Sequence, residues 1–495
     1  MGYSDGDEEE AADKGKSAGQ MLADKLFSSR KNGWENAGAE AEEKIDAFAE
    51  EYKQFLDRGK TERECIAAGR ELLDRAGFRG AGSPSAAMGG DGRRLAAGDK
   101  LYFINREKSL IAVIIGKTPP VAGLNLVGAH VDSPRIDLKA APLYEDAGFA
   151  LLDTQYYGGI KNYQWTAIPL ALHGVIIRAD GARVEVRVGE DTGDPVFTIT
   201  DLLPHLAREQ MQKKANELVP GEDLNILAGS KPYRDGKAKD RVKLNLLSIL
   251  NEKYGMVEDD FYGAELELVP AFRARDLGFD RSMIGGYGHD DRSCAFAALS
   301  ALLEIAAGET PEKTAVCIFT DKEEIGSAGN TGAQSRFFEN CAAHLIALSE
   351  KNYSDLLLRA ALEKSSMLSC DVNGALDPTW ESVQDRKNTA WLGRGIALSK
   401  FTGGNGKSGG SDANAEFCGR VQRILTARNI PWQYGDLGKV DKGGGGTIAK
   451  YVANLGVEVL DCGIPVLSMH SPFEVLSKID LYATREAYAA FLRDA

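Results

Sequence analysis

The amino-acid sequence predicts an α/β protein in which a mixed sheet flanked by helices is interrupted by an inserted, strand-rich unit. Three observations carry that prediction. After Arg292 helical and strand segments alternate, with 294–306 helical, 315–320 and 367–371 strands, 411–428 helical and 457–460 a strand. Before residue 140 the apolar runs 101–104, 110–115 and 124–128 read as short buried strands. Between about 140 and 282 the texture changes to alternating runs separated by turn residues. The clearest pair, 174–178 and 183–188, flanks Asp180-Gly181, a strong hairpin signal.

Taken in chain order, residues 1–33 read as an acidic, flexible arm containing Asp7-Glu8-Glu9-Glu10. From Trp34 onward Ile45, Phe48, Tyr52, Phe55 and Leu56 recur at helical spacing. Thr61-Glu62-Arg63-Glu64 is a capping box that opens a second helix through Leu73. The main unit then comprises 34–139 and 283–495, with 140–282 inserted.

A chain of 495 residues is long enough for two units, and 43% hydrophobic against 27% charged residues is ordinary globular usage. The net charge of −14 repels phosphate backbones and anionic bilayers, which argues against nucleic acid or a membrane surface as partner. There is no run of 18 apolar residues and no basic-then-apolar leader. Seven cysteines without a C-x-x-C pair fit a reducing compartment, so a cytoplasmic location is expected.

Five segments concentrate metal-ligating residue types, several of them at strand ends. Gly128-Ala129-His130-Val131-Asp132-Ser133-Pro134 offers His130 as a ligand, with Asp132 placed to orient its imidazole. Gly288-His289-Asp290-Asp291-Arg292 puts two carboxylates at a helix entrance. Asp321-Lys322-Glu323-Glu324-Ile325-Gly326 follows a strand, where two adjacent glutamates can divide into one ligand and one proton carrier. Ser369-Cys370-Asp371 and Ser468-Met469-His470-Ser471-Pro472-Phe473-Glu474 supply another carboxylate and a histidine. Each segment alone has a bland reading as a loop histidine, a helix cap or a solvated pair. Their conjunction does not.

In order and spacing, these segments resemble the aspartyl aminopeptidase family of dinuclear zinc exopeptidases over essentially the whole chain after residue 35. The resemblance implies that Asp290 bridges two metal ions, that His130 and Asp371 complete one site, and that Glu324 and His470 complete the other. Glu323 would be the general base, with Asp132 assisting catalysis by orienting the imidazole of His130. Two divalent cations against three carboxylates and a hydroxide also close near neutrality, as a buried cluster requires. Zn²⁺, Co²⁺ and Mn²⁺ suit this donor set alike, with Zn²⁺ the family's metal.

For an acidic N-terminal residue, Asp or Glu, the resemblance points to Lys400 as the pocket's cation. It points to His205 as a residue that reaches a neighbour's active site, and to Gly445, Gly446 and Thr447 as a loop beside the substrate. That loop lacks the order of a phosphate-binding loop. Asp291-Arg292, Gly374 and Asp377 depart from the family pattern. The resemblance further implies peptide substrates and a homododecamer built from dimers through the inserted unit. Two alternatives remain from the residues themselves: a dinuclear metal carboxypeptidase or deacylase, and a non-catalytic peptidase-like assembly protein.

Overall fold

The apolar run Leu124–His130 lies in the middle of a nine-stranded sheet and is buried along its whole length, as a strand covered on both faces must be. The computed structural model describes residues 16–28, 30–81 and 94–495. Thr314–Thr320 runs parallel to Leu124–His130 on one side and Ser366–Ser369 on the other, and Glu458–Gly463 extends the parallel block. Ser109–Ile114 and Ile396–Ser399 join antiparallel at the flanks, so the sheet is mixed. The carboxyl ends of neighbouring parallel strands therefore open on one edge, where α/β sheets gather ligand chemistry.

Side chains alternate between two cores with the strand period of two. Val127 and Phe319 face helices Ala39–Arg58, Glu62–Arg75, His289–Ala307 and Lys478–Asp494, where Tyr52, Leu299, Tyr488 and Phe491 are buried. Leu126 and Ile318 face the opposite side, against Leu345, Leu362 and Val452. Each such side chain contributes about 2 kcal/mol by leaving water. The capping box forms as the sequence indicates: Glu64 N–H donates to Thr61 Oγ1 at 3.4 Å, and Thr61 N–H donates to Glu64 Oε2 at 3.2 Å.

Residues 135–270 build a second, antiparallel sheet of six strands with a core of its own around Leu152, Trp165, Leu170, Ile226 and Leu268. Leu170–Ile177 and Arg183–Val188 pair around the Asp180-Gly181 turn. A third sheet pairs Met283–Gly286 with Glu474–Ser477, which brings distant parts of the chain side by side. Among the described residues no helix is long and apolar enough to cross a membrane.

Two expectations change. Asp7-Glu8-Glu9-Glu10 lies outside the described residues, but Ala18–Leu26 of the arm is an α-helix with a Ser17–Gln20 capping box, so this part of the arm has regular structure. The helix expected from Ser411 begins at Ala415, because the Ser411 hydroxyl is engaged by Asp461 at 2.8 Å.

Where the second sheet meets the first helices, His173 is buried between Glu64 Oε1 at 2.8 Å and Glu190 Oε1 at 3.1 Å. Lys60 bonds Glu190 at 2.7 Å, and Arg187 lies 3.9 Å from Glu64. Burial lowers the basicity of His173, but the two carboxylates outweigh it and raise the pKa. The folded protein thus holds this proton more tightly than the unfolded chain. Its stabilisation is full below about pH 6.5 and is lost as pH rises through the folded value. His173→Gln is expected to flatten the alkaline decline of Tm; an unaltered slope of Tm against pH would exclude His173 as its source.

Candidate metal centre

Five donors arrive from separated segments because the strand ends and the third sheet converge. His130 ends its strand beside Thr320, Glu324 follows Thr314–Thr320 in a short 3-10 turn, and Asp371 follows Ser366–Ser369. Asp290 stands in the first turn of His289–Ala307, and His470 precedes Glu474–Ser477. His130 Nε2 lies 3.1 Å from Asp290 Oδ1 and 4.0 Å from Asp371 Oδ1. His470 Nε2 lies 3.2 Å from Asp290 Oδ2 and 3.4 Å from Glu324 Oε2. Two three-donor groups result, His130 with Asp290 and Asp371, and Asp290 with Glu324 and His470. Asp290 belongs to both.

The donors fit divalent metal. Ligands about 2.0–2.2 Å from a tetrahedral zinc stand roughly 3.3 Å from one another, close to the spacings here. Asp290 Oδ1 and Glu324 Oε1 are buried without a hydrogen-bond partner. Each imidazole is turned by its other nitrogen: His130 Nδ1 donates to the Asp132 carbonyl at 2.9 Å and His470 Nδ1 to the Gly159 carbonyl at 2.8 Å. A carbonyl accepts only, so Nδ1 carries the hydrogen and Nε2 presents its lone pair inward.

Electrostatics agree. Burial and the neighbouring charge of Asp290 push the Glu324 carboxyl well above its ordinary range, and burial with Asp291 does the same to Asp371. For Asp290 burial also acts upward, but the adjoining imidazoles of His130 and His470 outweigh it and hold the group low. Burial depresses His470, yet Asp290 and Glu324 raise it to about 10. Crowded buried carboxylates of this kind are what a divalent cation neutralises. Glu323 belongs to neither donor group; burial, offset in part by His130, raises it to about 7.

The carboxylate of Asp132 does more than face His130. It lies 3.4 Å from Nδ1, while its oxygens accept from Glu323 N–H at 3.1 Å and Glu324 N–H at 3.2 Å. It thereby anchors the turn that carries both glutamates. Asp291 belongs to neither donor group and accepts from His130 N–H at 3.3 Å. Arg292 is fully buried and donates to the Gly59 carbonyl at 2.6 Å.

The donors line a cavity of about 800 Å³ together with Glu323, Gly445, Gly446 and Thr447. Its far wall is two glycine-rich loops, 402–411 and 443–447, both tied to buried Asp461, by Ser411 at 2.8 Å and Thr447 at 2.5 Å. Gly444 has a φ of +125°, and a side chain there would collide with the Gly403 carbonyl. Lys400 is exposed and stands outside the cavity, although Ser399 and Phe401 line it. His205 is exposed in an irregular segment of the second sheet's region and does not reach this chain's cavity. Gly374 and Asp377 are not on its wall either.

Residues 55–492 match the sequence profile of a family described as aminopeptidase I zinc metalloprotease (M18). The chain belongs to the M18 family of zinc aminopeptidases. The probable M18 family aminopeptidase 1 of Clostridium acetobutylicum is 49% identical over 469 residues, 95% of this chain and 99% of that one. The crystal structure of the Thermotoga maritima M18 aminopeptidase has a TM-score of 0.88 at 44% identity, covering 95% of this chain and 100% of its own. A structure of the S. cerevisiae mApe1 dodecamer, 23% identical, shares the fold with a TM-score of 0.73 over 91% of this chain and 97% of that one. As an M18 aminopeptidase the chain is a peptide hydrolase, which removes the carboxypeptidase, deacylase and non-catalytic readings.

Sequence reasoning missed four contributors to this M18 site. Glu474 accepts from His470 N–H at 2.7 Å and Asp290 N–H at 3.1 Å, clamping two donor segments; its place four residues after His470 was the available signal. Asp461, Tyr157 and Gly159 carry no motif of their own. Only the three-dimensional structure brings them in.

Proposed function

We propose that this M18 aminopeptidase cleaves the N-terminal residue from peptides with two divalent metal ions, and that Glu323 is its general base. The observation that carries this reading is Asp290, shared by two donor groups with one carboxylate oxygen facing each histidine. His130, Asp290 and Asp371 would hold one ion, and Asp290, Glu324 and His470 the other. Such ions, zinc being the family's, polarise a scissile carbonyl and acidify an attacking water. Glu323 takes the proton of that water and returns it to the leaving amine, while Asp132 holds its backbone in place.

The first residue of the substrate meets apolar groups, Val372, Phe401, Leu437 and Met469. The lysines on the wall are engaged: Lys407 by Asp412 at 2.7 Å, Lys439 by the Ser382 carbonyl at 2.9 Å, and Lys450 by the Gly409 carbonyl at 2.9 Å. With Lys400 outside, the chain should accept neutral N-terminal residues at least as well as acidic ones. Exposed Leu202, Leu203, Leu206 and Met211 around His205 support assembly through this region, as in a dodecamer. Seven free cysteines, six of them buried, fit a reducing cytoplasm.

The test is kcat/KM for Leu-, Met-, Asp- and Glu-Ala dipeptides and their N-acetylated forms, titrated with Zn²⁺, Co²⁺ and Mn²⁺. Free amines should be required and Leu should equal or exceed Asp. Preference for blocked dipeptides would sink the mechanism, and strong Asp preference would sink only the pocket assignment. A monomer by light scattering would refute the assembly.

A further inference from the structure

The second sheet reaches into the metal centre. Its strand Phe149–Tyr157 ends beside the donors, and Tyr157 Oη donates to Asp132 Oδ2 at 2.9 Å. Asp132 is fully buried, and its other bonds are the Glu323 and Glu324 amides, with its own carbonyl on His130. Two amides of the site thus depend on where this carboxylate sits, and His130 depends on the same residue's carbonyl. We propose that Tyr157 is a positioning residue for the reaction, holding the Glu323-Glu324 turn through Asp132. The role rests on reading Glu323 as the base.

The tyrosine is itself held. The guanidinium of Arg135 lies 4.0 Å over its ring, and Arg135, 5% exposed, is fixed by Asp137 at 2.8 Å, Glu267 at 3.2 Å and Glu62 at 3.4 Å. Burial and the charge of Asp132 push the phenol well above its ordinary range, so it stays a donor. The chain then passes Gly158, whose φ of +75° disfavours a side chain and where an added Cβ would stand only 3.3 Å from Glu324 Cβ. Next comes Gly159, whose carbonyl orients His470. A hydrogen bond to a buried carboxylate is of the strong kind, and groups that orient metal ligands commonly change affinity or activity by about 10–100-fold.

Tyr157→Phe keeps the ring beneath Arg135 and removes only the donor. It is expected to lower kcat about tenfold with KM within about twofold, and to weaken Co²⁺ retention about tenfold in chelator competition. A packing role would leave both unchanged. In an Asp132→Asn background the same substitution should alter Co²⁺ retention by less than about twofold, since the intermediary has been changed. The proposal is overturned if Tyr157→Phe leaves kcat and retention within twofold, or if the two substitutions multiply. Active Glu323→Gln would instead sink the base assignment, so the two failures are distinct.

Discussion

Glu323→Gln is expected to lower kcat by about 10³-fold while metal content and KM stay near those of the parent protein. Removal of a positioned proton carrier costs about 10²–10⁴-fold. Glutamine keeps the shape and the backbone bond to Asp132, and Glu323 stands outside both donor groups, so the metals should remain. The measurement is steady-state kinetics beside metal stoichiometry on the same preparation. Turnover within tenfold of the parent at full metal loading would refute the assignment.

The second large effect concerns the shared carboxylate. Asp290→Ala should release metal from both positions and lower kcat/KM by at least about 10³-fold, whereas Asp371→Ala should release metal from one. Metal analysis after gel filtration separates the two outcomes. Ligand binding at a hundred times its dissociation constant stabilises a fold by about 2.7 kcal/mol. Chelation should therefore lower Tm in the parent protein and leave Asp290→Ala nearly unchanged. Equal metal loss in the two variants would refute the proposed bridging role of Asp290.

The parts of this architecture that repeat locally were readable from sequence. Buried runs such as 110–115, the Asp180-Gly181 hairpin and the Thr61 capping box each declare themselves within a few residues. The candidate metal donors stand out in the sequence for a different reason: each sits in a short segment of residue types that few other roles require together. Asp132 shows where this stops. Its spacing from His130 suggests a partner for the imidazole, and the two do meet, but its oxygens also accept from amides 191 and 192 residues away, which no spacing announces. Lys400 shows the same limit, because residue 399 faces the cavity and residue 400 stands exposed outside it. Tyr157 reaches Asp132 from the second sheet and Glu474 reaches Asp290 in a helix 184 residues away, and no local pattern encodes those two bonds.

The glycine-rich wall opposite the donors has a consequence for traffic through the site. Loops 402–411 and 443–447 meet backbone against backbone: Gly403 N–H donates to the Gly445 carbonyl at 2.6 Å, and a side chain at Gly444 would collide with the Gly403 carbonyl. To an arriving chain such a wall is a strip of amides and carbonyls that looks the same whatever the sequence. If peptides run along this wall, as the proposed function requires, discrimination would be confined to the residue about to be removed, and the rest would be gripped by what all peptides have in common. That arrangement suits repeated trimming, in which the identity of the next residue changes after every cut.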